Sequence, residues 1–189
     1  MNIYENMQTF ESADFVLRGV QMDDAQDLLK VYSDKAAVPF FNGDNCHGDD
    51  FHYTTLERMK EAISFWLFSD DIGYFVRWSI VGKKTKEVVG TIELFHREDA
   101  IKEYDNCGLL RLDLRSDFEK ADVIVEILSL IAEFVFDLFG DKVVTKVKQN
   151  AIERLAAITH LGFTRPKVGL KGNQGEEFND YYILKKPQF

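Results

Sequence analysis

The sequence is short of several things, and each shortage excludes a class of protein. Two cysteines, Cys46 and Cys107, stand far apart with no CxxC spacing. That excludes a disulfide framework and a compact structural zinc site, and it fits a reducing compartment. With only three prolines in 189 residues, no proline-rich linker divides the chain. Basic residues are the minority charge, 23 Lys and Arg against 32 Asp and Glu, for a net charge of −9. A nucleic-acid partner calls for a basic face, so none is expected, and neither is docking on an anionic membrane. The apolar runs are broken by charges before they could span a bilayer. Glu5 and Glu11 interrupt the place where a signal peptide would carry its apolar core. The expected location is cytoplasmic.

What is present describes a folded protein. Hydrophobic residues make up 46% and aromatics 13%, enough to build a core in a chain of this length. Neither a repeat nor a low-complexity tract appears, so residues 1–189 are read as one domain.

The periodicity divides the chain into alternating elements. "DFVLRGV" from Asp14 alternates as a strand, and "MDDAQDLLKVYSD" carries Ala25, Leu28, Leu29 and Tyr32 at helical spacing. A long loop follows, "KAAVPFFNGDNCHGDDFHYT", and then an amphipathic helix capped by Thr54 or Thr55. "YFVRWSIVGKKTKEVVGTIELF" reads as a hairpin about a Lys-rich turn, and "GLLRLDL" as a further strand. A long apolar helix is expected from about Asp122 to Leu138, stopped by Gly140. "DKVVTKVKQ" alternates again, and "AIERLAAITHL" closes at Gly162. The tail offers two strands, "FTRPKVG" and "DYYILKK", around the loop "LKGNQGEE". Antiparallel strands followed by a β-α-β-α run imply an α/β protein with a mixed sheet and helices on both faces.

The junction "LRLDLRSDFEKADVIVEILSLIAEFVFDLFG" carries the chemistry. A strand, a turn and a helix start together form a site where free N–H groups and the positive helix end meet an anion. Here the turn has no glycine and holds Asp117, Glu119 and Asp122. An aspartate at a helix N-cap accepts bonds from the same N–H groups that a phosphate would use.

Together with "FVLRGVQMDDAQDLLKVYSD", "VVGTIELF" and "RLAAITHLGFTRP", this junction resembles the GCN5-related N-acetyltransferase (GNAT) superfamily. The ribosomal-protein-acetyltransferase branch is the nearest likeness, and it runs from about residue 14 to 186. The resemblance implies a mixed, mostly antiparallel sheet of about seven strands, and acetyl-CoA as co-substrate without a metal. It also implies an enzyme that passes an acetyl group directly to an amine of a protein N-terminus, polyamine or small molecule.

The family's pyrophosphate pattern falls on Glu119, Lys120, Ala121, Asp122, Val123 and Ile124, and departs from it at every signature position. Asp122 stands where a glycine is usual, and its charge should weaken acetyl-CoA binding. At the start of the last helix, the usual Asn-x-x-Ser falls on Ala151 and Arg154. Backbone groups of Leu112 and Leu114 are expected to meet the pantetheine arm whatever their side chains. For the base that deprotonates the amine, the candidates are Glu93 and Asp113, with His96 farther along the same strand as Glu93. Glu93 lies between Ile92 and Leu94, so it should face away from the core those two enter. In the long loop, Phe40, Phe41, Phe51 and Tyr53 are candidates to line the acceptor pocket, against the plainer reading that they staple the loop to the core. Asp44, Asp49 and Asp50 would favour a cationic amine or basic peptide. "NCHGDDFH" matches no compact metal signature, so no metal is assigned. Two other readings stay open: a binding module of the same fold that has lost catalysis, and an enzyme using another acyl donor. A homodimer also stays open.

Overall fold

A computed structural model describes residues 7–99 and 101–186; Glu5 lies outside them. A two-residue strand, β1 (Phe10–Glu11), lines up with β2 (Phe15–Gly19). After a 3-10 turn at Met22–Asp24 comes α1 (Ala25–Tyr32), which buries Ala25, Leu28, Val31 and Tyr32. α2 (Leu56–Asp71) begins where Thr55 accepts a bond from the Arg58 N–H at 3.2 Å, a cap worth about 1 kcal/mol. β3 (Val76–Gly82) and β4 (Val88–Arg97) form the hairpin, and β5 (Cys107–Leu114) extends it.

The expected long helix is two helices, α3 (Ala121–Ser129) and α4 (Ala132–Phe139). The Ser129 hydroxyl donates to the Val125 carbonyl at 2.7 Å, competing for the acceptor the helix ladder would use there. The next amides, Leu130 and Ile131, reach back only three residues, to Ile127 and Leu128. Gly140 ends α4 with a φ of 91°, a conformation that glycine adopts at no steric cost.

β6 (Lys142–Lys146) and α5 (Ile152–His160) follow. "FTRPKVG" is not a strand: Thr164 makes one bridge to Ile183, and Pro166 has no N–H to continue a ladder. β7 (Leu170–Lys171) and β8 (Glu177–Phe178) instead make a small hairpin within the predicted loop, and β9 (Tyr181–Lys185) closes the sheet.

The main sheet has seven strands in the order β1-β2-β3-β4-β5-β6-β9, and only β5 and β6 pair in parallel. Alternation sorts the side chains to two faces. Trp78, Ile80, Ile92, Leu94, Leu110, Leu112 and Leu114 join residues of α3, α4 and α5 in the largest core cluster. α1, α2 and the long loop form a second cluster on the other face. Full burial of one Leu or Ile contributes about 1.5–3 kcal/mol, so the alternation alone fixes which residues of β4 and β5 turn toward α1 and α2. Among the described residues, no helix is long and apolar enough to cross a membrane.

Candidate active site

The parallel strands separate. β5 and β6 pair only at Gly108, Leu109 and Leu110, against Val143, Val144 and Thr145. β6 ends at Lys146, while β5 runs on to Leu114. The edge of β5 beyond Leu110 therefore faces a cleft, with the first turn of α3 beyond it.

The cleft is occupied by two residues of α5. Arg154, 4% exposed, donates from Nη1 to the Leu112 carbonyl at 2.7 Å and to the Phe40 carbonyl at 3.2 Å. Its Nε lies 2.9 and 3.0 Å from the two Glu119 oxygens, and Nη2 also donates to Glu119. Beside it, Glu153 Oε2 accepts the Ala121 N–H at 2.8 Å. The carboxylate thus sits at the positive end of α3, the position an incoming anion would seek.

α3 starts at Ala121, with Lys120 as N-cap and no side-chain cap bond. Asp122 is therefore inside the first turn and not the cap. Its Oδ1 accepts the Val123 N–H at 2.9 Å. The Ile124 N–H is engaged by the Lys120 carbonyl at 2.9 Å, and the Lys120 N–H by the Phe118 carbonyl at 2.8 Å. Of the expected cradle amides, Ala121 and Val123 are held by carboxylates, Lys120 and Ile124 by backbone. As they stand, these groups oppose a pyrophosphate, which fits only if Glu153 swings away.

On the α1/α2 face of the sheet lies a buried polar layer. Glu93 is 2% exposed and faces away from Ile92 and Leu94, as its place in the strand requires. Arg77 Nη2 donates to one of its oxygens, and Arg111 Nη1 to the other at 2.7 Å. Burial opposes ionisation, but the two guanidiniums outweigh it and hold the Glu93 carboxyl below the usual carboxylate range.

Asp113, also 2% exposed, accepts the Tyr32 hydroxyl at 2.7 Å and faces Arg77 Nη1 at 3.4 Å. Burial pushes its carboxyl up, Arg77 notwithstanding. The two base candidates thus lie on one face, joined through Arg77, with their proton affinities driven apart. His96 is exposed at the far end of β4 and bonds Asn106 at 2.8 Å.

The loop aromatics divide. Phe51 and Tyr53 line a cavity of about 130 Å³ between α2 and the sheet, together with Trp66, Phe75, Arg77 and Arg111. Phe41 packs on Tyr32 at 5.3 Å, and Phe40 packs against the opposite core while offering its carbonyl to Arg154. The acids of the loop are engaged as well. Asp44 pairs with Lys146 at 2.6 Å, and Asp49 with Arg58 at 2.9 Å and the Tyr53 hydroxyl. Asp50 accepts the His52 N–H. Among the described residues, no three His, Cys, Asp or Glu side chains gather as a metal site.

Arg77, Arg111 and Glu153 escaped the sequence reading, and Arg154 entered it only as a departure at the start of the last helix. Arg77 and Arg111 did carry a signal, since each is a charged residue within an apolar strand at the alternation that puts it beside Glu93. Glu153 carried none, because an acid in the first turn of a helix is ordinary.

The acetyltransferase (GNAT) domain profile matches residues 14–164. No curated protein sequence matches. Among solved structures, a ribosomal-protein-alanine acetyltransferase from Vibrio fischeri superposes with a TM-score of 0.69 at 14% identity, over 96% of this chain and 98% of that one. RimL, a ribosomal-protein acetyltransferase in complex with coenzyme A, gives 0.70 at 13% identity, over 95% and 98%. RimJ of Mycobacterium smegmatis, in complex with a coenzyme A disulfide, gives 0.66 at 15%, over 89% and 79%. At such identities the likeness is one of fold. The domain match over most of the chain goes further: this protein belongs to the GNAT acetyltransferase family.

Proposed function

We propose that the protein is an N-acetyltransferase that takes acetyl-CoA as donor and an amine-bearing small molecule or peptide as acceptor. The observation that carries this is the end of β5–β6 pairing at Leu110, which leaves the backbone of Leu112 and Leu114 beside a cleft that leads to the start of α3. A neutral amine would attack the thioester carbonyl directly, with no covalent enzyme intermediate. Of the two buried carboxyls on the acceptor face, Asp113 is the candidate base, since burial raises its proton affinity while the guanidiniums lower that of Glu93. Glu93, held by two guanidiniums, positions them.

Magnitudes decide how the donor enters. The Glu153 contact is one hydrogen bond at an exposed side chain, worth about 1 kcal/mol, and a pyrophosphate displaces it readily. Arg154 and Glu119 form a buried pair, and separating such partners costs about 3–5 kcal/mol. The pyrophosphate end therefore opens easily and the pantetheine end with difficulty, so the donor should bind weakly for this family.

A second reading is favoured by the same plug: a GNAT-fold module that binds a ligand on the acceptor face and no longer accepts CoA. Thiol release from acetyl-CoA, screened over polyamines, aminoglycosides, amino acids and N-terminal peptides, separates the two. Turnover with any acceptor supports the transferase. Silence in both the natural protein and an Arg154→Ser variant transfers the case to the binding module.

A further inference from the structure

The chamber under α2 has the size and the walls to hold a single ring. Its volume is about 130 Å³, and an apolar cavity of ~150 Å³ takes up benzene. Phe51, Tyr53, Trp66 and Phe75 wall it. Phe65, 56% exposed, stands at its mouth with Arg58 and Asp49. The ring pairs along the wall are tilted, Phe51 against Tyr53 at 6.3 Å and 53°, Phe65 against Phe75 at 6.0 Å and 60°. Aromatic rings favour such spacings and tilts, so a further ring continues the packing.

The charges around the chamber cancel. Glu93 bridges Arg77 and Arg111, taking one guanidinium on each oxygen. Asp113 answers the second positive charge through Arg77, at 3.4 Å. Arg58 and Asp49 pair at 2.9 Å. No unmatched charge is left to offset the cost of stripping water from an ion. The rings best able to hold a cation are also taken. The Arg77 guanidinium carbon lies 4.0 Å from the centre of Trp66, and that of Arg58 4.6 Å from the centre of Tyr53. Hydrogen-bonding groups are spent as well. Arg77 Nη1 donates to the hydroxyls of Tyr32 and Thr91 at 2.9 and 3.0 Å, and Arg111 Nη2 to the Asp44 carbonyl at 2.9 Å. The Nε of each guanidinium is buried beyond the reach of water, and so beyond that of a ligand's polar group.

From this we infer that the chamber is a subsite for one neutral aromatic ring. It shares Phe75, Glu93 and Arg111 with an open groove of about 470 Å³, so the polar remainder of a larger ligand lies in the groove. Naming the ring a part of the acceptor rests on the acetyl-transfer reading. The binding itself does not. The expectation from the sequence, a cationic acceptor drawn by Asp44, Asp49 and Asp50, weakens because those acids are engaged within the fold.

The test titrates the full chain, without donor, with benzyl alcohol and follows the two indole N–H signals by NMR. Trp66 lines the chamber, while Trp78 packs in the core cluster of the opposite face and serves as control. A saturable shift is expected at Trp66 and none at Trp78. Benzoate and N-methylpyridinium, an anionic and a cationic ring of similar size, should bind at least tenfold more weakly. Cys46, partly buried, also lines the chamber, and Cys46→Phe should fill it and weaken benzyl alcohol at least tenfold. Should that variant not fold, Phe65→Ala at the exposed mouth removes a wall and should cost at least threefold. No saturable shift, equal shifts at both indoles, or either ion bound as tightly as the alcohol overturns the inference, as does unchanged affinity in the folded variant. Because acetyl-CoA is absent throughout, none of these outcomes depends on whether transfer occurs.

Discussion

Arg154 Nη1 lies 2.7 Å from the Leu112 carbonyl oxygen. A side chain from the last helix thus satisfies a backbone group that the splayed sheet leaves without a strand partner. A buried carbonyl needs a partner, and in this chain the partner is built in.

That contact is tied to Glu119, and the pair should behave as a unit. Arg154→Met leaves the largely buried Glu119 carboxylate without its cation, and should lower unfolding free energy by about 3 kcal/mol. Adding Glu119→Gln should recover part of the loss, since the uncompensated charge goes with it. Urea unfolding of the two single variants and the double checks this. Strictly additive losses mean that the pair is not coupled.

Glu153 and Asp122 oppose an anion at the start of α3, and they should do so unequally. Glu153 reaches the Ala121 N–H from another helix, while Asp122 turns only to its own neighbour, Val123. Glu153→Gln removes a charge and frees a donor, and should tighten acetyl-CoA binding about tenfold, or ~1.4 kcal/mol. Asp122→Gly should also tighten it, though less, because glycine weakens the first turn of α3. Calorimetry on both variants decides the order. An unchanged or weaker affinity in Glu153→Gln shows that its carboxylate does not compete with phosphate.

Asp70 sets a pH dependence remote from the cleft. It lies in the last turn of α2, beside Asp71, with Oδ1 buried and unpartnered. Burial first, and then Asp71, push its carboxyl up to about 6 from 3.8, and the negative helix end acts in the same direction. A folded value above the unfolded one means that stability present at about pH 4 is lost as pH climbs to about 6. Asp70→Asn should therefore raise the melting point at pH 7, by about 1 kcal/mol of stability with solvent screening allowed for. At pH 4 it should change nothing. Equal effects at the two pH values contradict the assignment.

Much of the scaffold was legible in the residues. Ile92 and Leu94 turn one way and Glu93 the other because a strand repeats every two residues, and a hydrophobic core selects which. A threonine cap before the apolar period of α2 was legible as Thr54 or Thr55, and the structure selects Thr55.

The break in the long helix was not legible. It coincides with a local bond of an exposed side chain, the Ser129 hydroxyl on the Val125 carbonyl, which hydrophobic periodicity does not report. Nor could the fate of the loop acids be read. Asp44 lies 102 positions before Lys146, and only the fold brings them to 2.6 Å. Arg154 was visible as a departure at the start of the last helix. That it would fill the cleft required knowing where β5 and β6 part.

The plug is the centre of the account, and one measurement reaches it: calorimetric titration of acetyl-CoA into the natural protein and into Arg154→Ser. With Arg154 closing the pantetheine end, the natural protein should bind weakly and the variant at least tenfold more tightly. If Arg154→Ser binds acetyl-CoA less tightly than the natural protein does, Arg154 is a ligand of the donor and not a barrier to it.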